Sequence, residues 1–126
     1  MKYSIDKQEK YSLITLNEDK LDSSLAPHLK TELITLHAEG VPNVILDLKD
    51  VRYTDSSGLS SLLVGNRTFQ QDGGLFVLTN LSEHTMKLIK ISQLDGVLNI
   101  LPSVEEAVDA VIFNDIEGGL KEGEEG

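Results

Sequence analysis

Cysteine and tryptophan are absent from the 126 residues, and proline occurs only three times. Without thiols the chain can build neither a disulfide framework nor a thiolate metal site, which suits a reducing cytosol. Basic residues are also scarce: 11 Lys and Arg stand against 21 Asp and Glu, for a net charge of −10. They are scattered rather than clustered. Phosphate backbones and anionic lipid would repel such a surface, because binding there draws on grouped Lys and Arg. No apolar run approaches the ~18 residues of a membrane span. The opening Met1-Lys2-Tyr3-Ser4-Ile5-Asp6 has no apolar secretion-signal core. These absences predict a soluble cytoplasmic protein with neither nucleic acid nor membrane as a direct partner.

What is present is ordinary for a globular domain: 40% apolar and 25% charged residues in a length that can bury one core. The charge is uneven. From Asp115 to Gly126 the acids Asp115, Glu117, Glu122, Glu124 and Glu125 face only Lys121, a net −4, which leaves −6 for the other 114 residues. The expected organisation is one domain over residues 1–113, followed by a disordered, acidic Gly/Glu-rich tail over 114–126.

Periodicity orders the elements. Tyr3 to Gln8 and Tyr11 to Leu16 read as a β-hairpin. Asp22-Ser23-Ser24 then offers helix-starting residues, followed by Leu25, Leu29, Leu33 and Leu36 on one helical face. Gly40 and Pro42 stop that helix, and Val44-Ile45-Leu46-Asp47-Leu48 reads as a strand buried on both faces. A second helix opens at Thr54-Asp55-Ser56-Ser57-Gly58, carries Leu59, Leu62, Leu63, Asn66 and Phe69 inward, and ends at Gly73-Gly74. Leu75 to Leu78 is the next strand, Ser82 caps a third helix, and Val97 to Leu101 is the last strand. Ser103-Val104-Glu105-Glu106 has the spacing of a capping box for a final helix. The order β-β-α-β-α-β-α-β-α predicts an α/β fold: a mixed, mostly parallel sheet of about five strands under about four helices.

Chemistry in such folds gathers outside the carboxyl ends of the strands, at helix N-termini. The stretch from Asp47 to Gly58 passes through that region. Asp55 can cap the second helix, which leaves Ser56 and Ser57 in its first turn beside the positive end of the helix dipole. A phosphate on either hydroxyl would gain a dipole term of roughly 0.3–1 kcal/mol. A partner docked on that turn would instead receive about −1.5 to −2 units of charge in its interface. On these residues alone, the motif reads first as a cap and turn and second as a modification site.

In sequence, Val44 to Leu48 followed by Val51-Arg52-Tyr53-Thr54-Asp55-Ser56-Ser57-Gly58-Leu59 resembles the signature of the STAS domain family (sulphate transporter and anti-sigma factor antagonist). Leu21-Asp22 with Leu25 and Ala26, Leu75 to Leu78, and Val97 to Ala107 extend the resemblance over residues 3–112. It implies a stand-alone bacterial anti-sigma factor antagonist. The free form would bind an anti-sigma factor that is also a serine kinase and so release the sigma factor. Phosphorylation of Ser57 would break the complex, and a serine phosphatase would reset it. The resemblance further implies Asp22, Asp55, Ser56, Ser57 and Gly58 as the partner-binding residues. It implies no catalytic residue, metal or cofactor, and no enzyme activity. Two positions depart from the pattern: Asp19-Lys20 stands where glycine commonly precedes the Leu-Asp pair, and Ser60 stands where glycine often follows Leu59.

The main alternative within the fold is an unphosphorylated STAS scaffold or a transporter-associated interaction subunit. Ser57, where a silent scaffold can carry alanine, favours the switch. A phospho-aspartate receiver would need an acidic pair after the first strand, and the β-β start is wrong for it. Asp47, Asp50 and Asp55 are better read as solvated and capping residues than as a hydrolase metal site. His28, His37 and His84 are too far apart in sequence to suggest one site.

Overall fold

A computed structural model describes the backbone of residues 1–125 and the side chains of residues 1–118. Its main sheet has five strands in the order β1-β2-β4-β6-β7: β1 (Tyr3–Lys7), β2 (Ser12–Leu16), β4 (Val44–Asp47), β6 (Phe76–Thr79) and β7 (Asn99–Leu101). Only β1 runs antiparallel to its neighbour β2, in the register Ile5 to Ile14. The β2-β4, β4-β6 and β6-β7 pairs are parallel, each reached by a helical crossover. Those helices are α1 (Ala26–Ala38), α2 (Ser56–Gln70) and α3 (Glu83–Ile91), and α4 (Val104–Glu125) follows the last strand.

Both faces of β4 and β6 are covered, which is why every residue in each of these strands is buried. On one side Val44, Leu46, Phe76 and Leu78 meet Leu29, Leu33 and Leu36 of α1, Leu59, Leu62 and Phe69 of α2, and Ile89 of α3. On the other, Ile45 and Val77 meet Ala107 and Val111 of α4. α2 lies close to the sheet at Gly65, where a Cβ would come within 2.6 Å of the Phe76 ring. The layering therefore places three helices on one face and α4 alone on the other.

Two short elements escape the periodicity argument. β3 (Lys20–Leu21) and β5 (Tyr53–Thr54) form a separate parallel ladder, with Lys20 opposite Tyr53 and Leu21 opposite Thr54. The start of α1 also differs from expectation. Its first residue is Ala26, after Leu25, which offers no side-chain cap, and Pro27 supplies a preset φ in the first turn. Ser103 caps α4 as its spacing suggests, with Glu106 N donating to Ser103 Oγ at 3.2 Å, while the Glu106 carboxylate accepts from the Ser103 hydroxyl at 3.4 Å.

Residues 114–118, expected to begin a disordered tail, instead continue α4. Asn114 Nδ2 donates to Gly73 O at 3.0 Å, and Asp115 pairs with Lys10 at 3.3 Å. These bonds attach the helix to the body of the domain where composition alone suggested release. For the remainder of that expected tail, the side chains beyond Gly118 and the whole of Gly126 lie outside the described residues. No described helix is long and apolar enough to cross a membrane.

Candidate functional site

The β3-β5 ladder builds the site. Because Leu21 lies opposite Thr54, the next residues on each strand, Asp22 and Asp55, leave the ladder side by side although 33 positions apart. Asp55 N donates to Leu21 O at 3.3 Å, and Ser23 N donates to Asp55 Oδ2 at 3.2 Å. The other carboxylate oxygen of Asp55 accepts from Gly58 N at 2.9 Å, with Asp55 in extended backbone conformation as the N-cap of α2. One side chain thus fixes the start of α2 and ties it to the segment ahead of α1.

Gly58 makes this junction possible. A Cβ there would stand 2.1 Å from Leu21 O and 2.9 Å from Thr54 Cγ2. Only a residue without a side chain allows the helix to approach β3 so closely. Gly58 is buried beneath the turn, so among the expected partner-binding residues it shapes the surface from below.

Above it, Ser56 is exposed and Ser57 is half-buried. Neither hydroxyl has a hydrogen-bond partner among the described residues. Among the described residues Thr79 Oγ1 is the only buried side-chain polar atom without a partner, so the unpartnered Ser57 Oγ reaches solvent. Asp55 uses its cap on Gly58 N, and the first-turn amides of Ser56 and Ser57 remain open, as at most helix starts. The turn therefore presents two free hydroxyls and free N–H groups at the positive end of a 15-residue helix.

Asp22 is oriented from its own segment. Ser24 Oγ donates to Asp22 Oδ1 at 2.6 Å and Ser24 N does so at 3.0 Å. The Ser24 hydroxyl, with its amide second, holds the Asp22 carboxyl below the ordinary carboxylate range. A shallow groove of about 300 Å³ lies alongside, lined by Glu18, Asp19, Lys20, Asp22, Ser24 and Leu25. Arg52, largely exposed, reaches Asp19 at 3.7 Å.

The structure thus brings Asp22, Asp55, Ser56 and Ser57 onto one surface, with Gly58 supporting it. Sequence reasoning did not find the Ser23 amide that engages Asp55, nor the exposed Tyr53, whose ring lies 4.9 Å from that of His84. No local pattern announces either, since both depend on pairing between distant segments. Asp47, weighed as a metal ligand, is buried and accepts from Lys49 N at 3.1 Å and Asn80 Nδ2 at 3.0 Å. It holds the loops together. His37 is also distant from the site in chain and contacts, touching Asp72 and the edge of Phe69.

Comparison with known proteins agrees with this architecture. The STAS domain profile matches residues 3–107. The anti-sigma-B factor antagonist of Bacillus subtilis is 30% identical over 109 residues, covering 86% of this chain and 99% of that protein. The STAS-domain anti-sigma-factor antagonist of Planctomyces limnophilus superposes with a TM-score of 0.78 at 18% identity, covering 87% of this chain and 97% of that one. The Bacillus cell fate determinant SpoIIAA, solved in its phosphorylated form, gives a TM-score of 0.68 at 23% identity over 87% of this chain and 99% of the other. With its profile match, its β3-β5 junction and its Asp-Ser-Ser-Gly helix start, this chain belongs to the STAS domain family, among relatives that are anti-sigma factor antagonists.

Proposed function

We propose that this protein is a cytoplasmic, non-enzymatic anti-sigma factor antagonist gated by phosphorylation of Ser57. The observation that carries the reading is the free, solvent-reaching Ser57 hydroxyl on a helix start fixed by Asp55, whose two carboxylate oxygens are both hydrogen-bonded in place. In the unmodified state Asp22, Asp55, Ser56 and Ser57 form the docking surface for an anti-sigma factor with serine kinase activity. Binding sequesters that factor and frees the sigma factor. The existence of a phosphorylated form of SpoIIAA supports a covalent phosphate on a related fold.

The gate is electrostatic. A dianion on Ser57 is tolerated by the chain, because first-turn amides and the helix dipole face it. In the complex the same charge is trapped near Asp22 and Asp55, both already anionic. An unmatched charge buried at an interface costs about 2–5 kcal/mol. Moving a complex from nearly all bound to nearly all free takes about 5.5 kcal/mol. One phosphate with two acids beside it approaches that amount. A serine phosphatase restores the bound state.

The test is direct. Incubate the chain with ATP and a purified anti-sigma serine kinase, map the modification by mass spectrometry, and measure kinase affinity for Ser57→Ala and Ser57→Asp. Phosphate on Ser57, tight binding by Ser57→Ala and binding at least about thirtyfold weaker for Ser57→Asp are expected. Equal affinities for the two variants, or phosphate elsewhere only, overturn the gate.

A further inference from the structure

The outward face of α4 breaks the pattern expected of a helix lying on a sheet. Ala107 and Val111 point inward onto Ile45 and Val77. At about 100° per residue, Glu105, Asp109, Ile112, Phe113 and Ile116 fall on the far side, facing solvent. The first turns obey the rule, with Glu105, Glu106 and Asp109 exposed. The next turns do not: Ile112 is 43% exposed, Phe113 62% and Ile116 54%. Spacings of three and four residues make these a contiguous patch rather than scattered apolar atoms.

The charge around the patch selects what can cover it. Between Val104 and Gly118, α4 carries Glu105, Glu106, Asp109, Asp115 and Glu117 and no Lys or Arg. Asp115 is paired with Lys10, and the other four acids have no ion-pair partner among the described residues. A second copy of the chain would set this acidic rim against another acidic rim across the interface. Anionic lipid would meet the same repulsion. A helix with an apolar stripe flanked by Lys and Arg buries the patch and neutralises its rim at once.

We infer that the Ile112-Phe113-Ile116 face of α4 docks a basic amphipathic helix of another protein. This surface is on the sheet face opposite α1, α2 and α3, so a helix seated on it leaves the Ser57 turn free. The inference stands whether or not Ser57 is phosphorylated.

The test uses the full chain and a designed helical peptide, with leucines at i, i+3, i+4 and i+7 flanked by lysines. Fluorescence anisotropy gives affinity and amide chemical shifts give location. Phe113→Ser/Ile116→Ser, which preserves every charge, is expected to weaken binding at least about tenfold. Asp109→Lys/Glu117→Lys, which preserves the apolar patch, is expected to do the same, and it serves alone if the first pair disturbs the fold. A peptide with glutamates in place of lysines should not bind. The inference is overturned if either folded variant binds as tightly as the natural chain, or if the shifts map to α2 instead of α4. It is overturned equally by sedimentation that shows a dimer abolished by Phe113→Ser/Ile116→Ser, or by patch-dependent binding to phosphatidylglycerol vesicles.

Discussion

The starts of α2 and α3 are built from similar residues and put to different use. Both helices follow a strand and both have a short polar N-cap, Asp55 bonding Gly58 N in one and Ser82 bonding Thr85 N in the other. At α3 every hydroxyl is engaged. Ser82 Oγ lies 3.1 Å from Thr85 Oγ1 and 3.3 Å from Arg52 O, and Thr85 Oγ1 lies 2.9 Å from Thr54 Oγ1. At α2 a carboxylate does the capping, so the serine hydroxyls that follow it are left unused. A cap that works through an acid releases the hydroxyls for chemistry; one that works through a hydroxyl consumes it.

The sharpest way to break this comparison is Gly58→Ala. The added Cβ collides with the Leu21 carbonyl, which must move for α2 to begin where it does. Urea denaturation should register a loss of about 2–3 kcal/mol, the usual scale for overpacking. A loss below that of an ordinary surface change would mean that the β3-β5 junction is soft. Asp55→Ala removes the bonds to Gly58 N and Ser23 N together and should cost about 1–2 kcal/mol.

Comparing the hydroxyls sharpens the contrast. Ser82→Ala should cost about 1 kcal/mol as the loss of a cap, whereas Ser57→Ala should change stability by less than about 0.5 kcal/mol. Equal costs, read from thermal melts of the two variants, would remove the distinction drawn between the helix starts. The smallest effect is at Asp22, whose carboxyl is held low chiefly by the Ser24 hydroxyl. Its contribution is complete above the unfolded value of about 3.9 and is lost as pH falls through the lower folded value. An acid titration of stability should therefore be shallower for Asp22→Asn than for the natural chain below that pH.

Much of the fold was legible because it rests on long patterns. The Val44-Ile45-Leu46 run, the Leu25-Leu29-Leu33-Leu36 face and the Ser103-Glu106 spacing each repeat a local rule often enough to be read. β3 and β5, with two residues each, hold too few positions for a period of two to appear. Their pairing is a tertiary event, and with it went the neighbourhood of Asp22 and Asp55. At α1, Asp22 has helix-starting chemistry but spends it on Ser24 and a turn, four residues before the helix opens at Ala26. The candidate site was legible as residues, through the Asp55-Ser56-Ser57-Gly58 frame. What sequence could not express is which hydroxyls are spoken for, because the partners come from segments about 30 positions away, as Thr54 does for Thr85. The start of the expected tail was misjudged for a similar reason: Gly73 and Lys10 reach residues 114 and 115 from elsewhere in the chain.

The bracing of the α2 start by Leu21 and Ser23 also bears on timing. A recognition surface fixed before encounter asks a visitor for little ordering entropy, and it has no rearrangement to wait for when its charge changes. Association should then be set by diffusion and steering, and departure after modification by the lifetime of a weakened contact. Under the gating proposed for Ser57, a responder braced in this way would follow the speed of the enzymes that write and erase its mark.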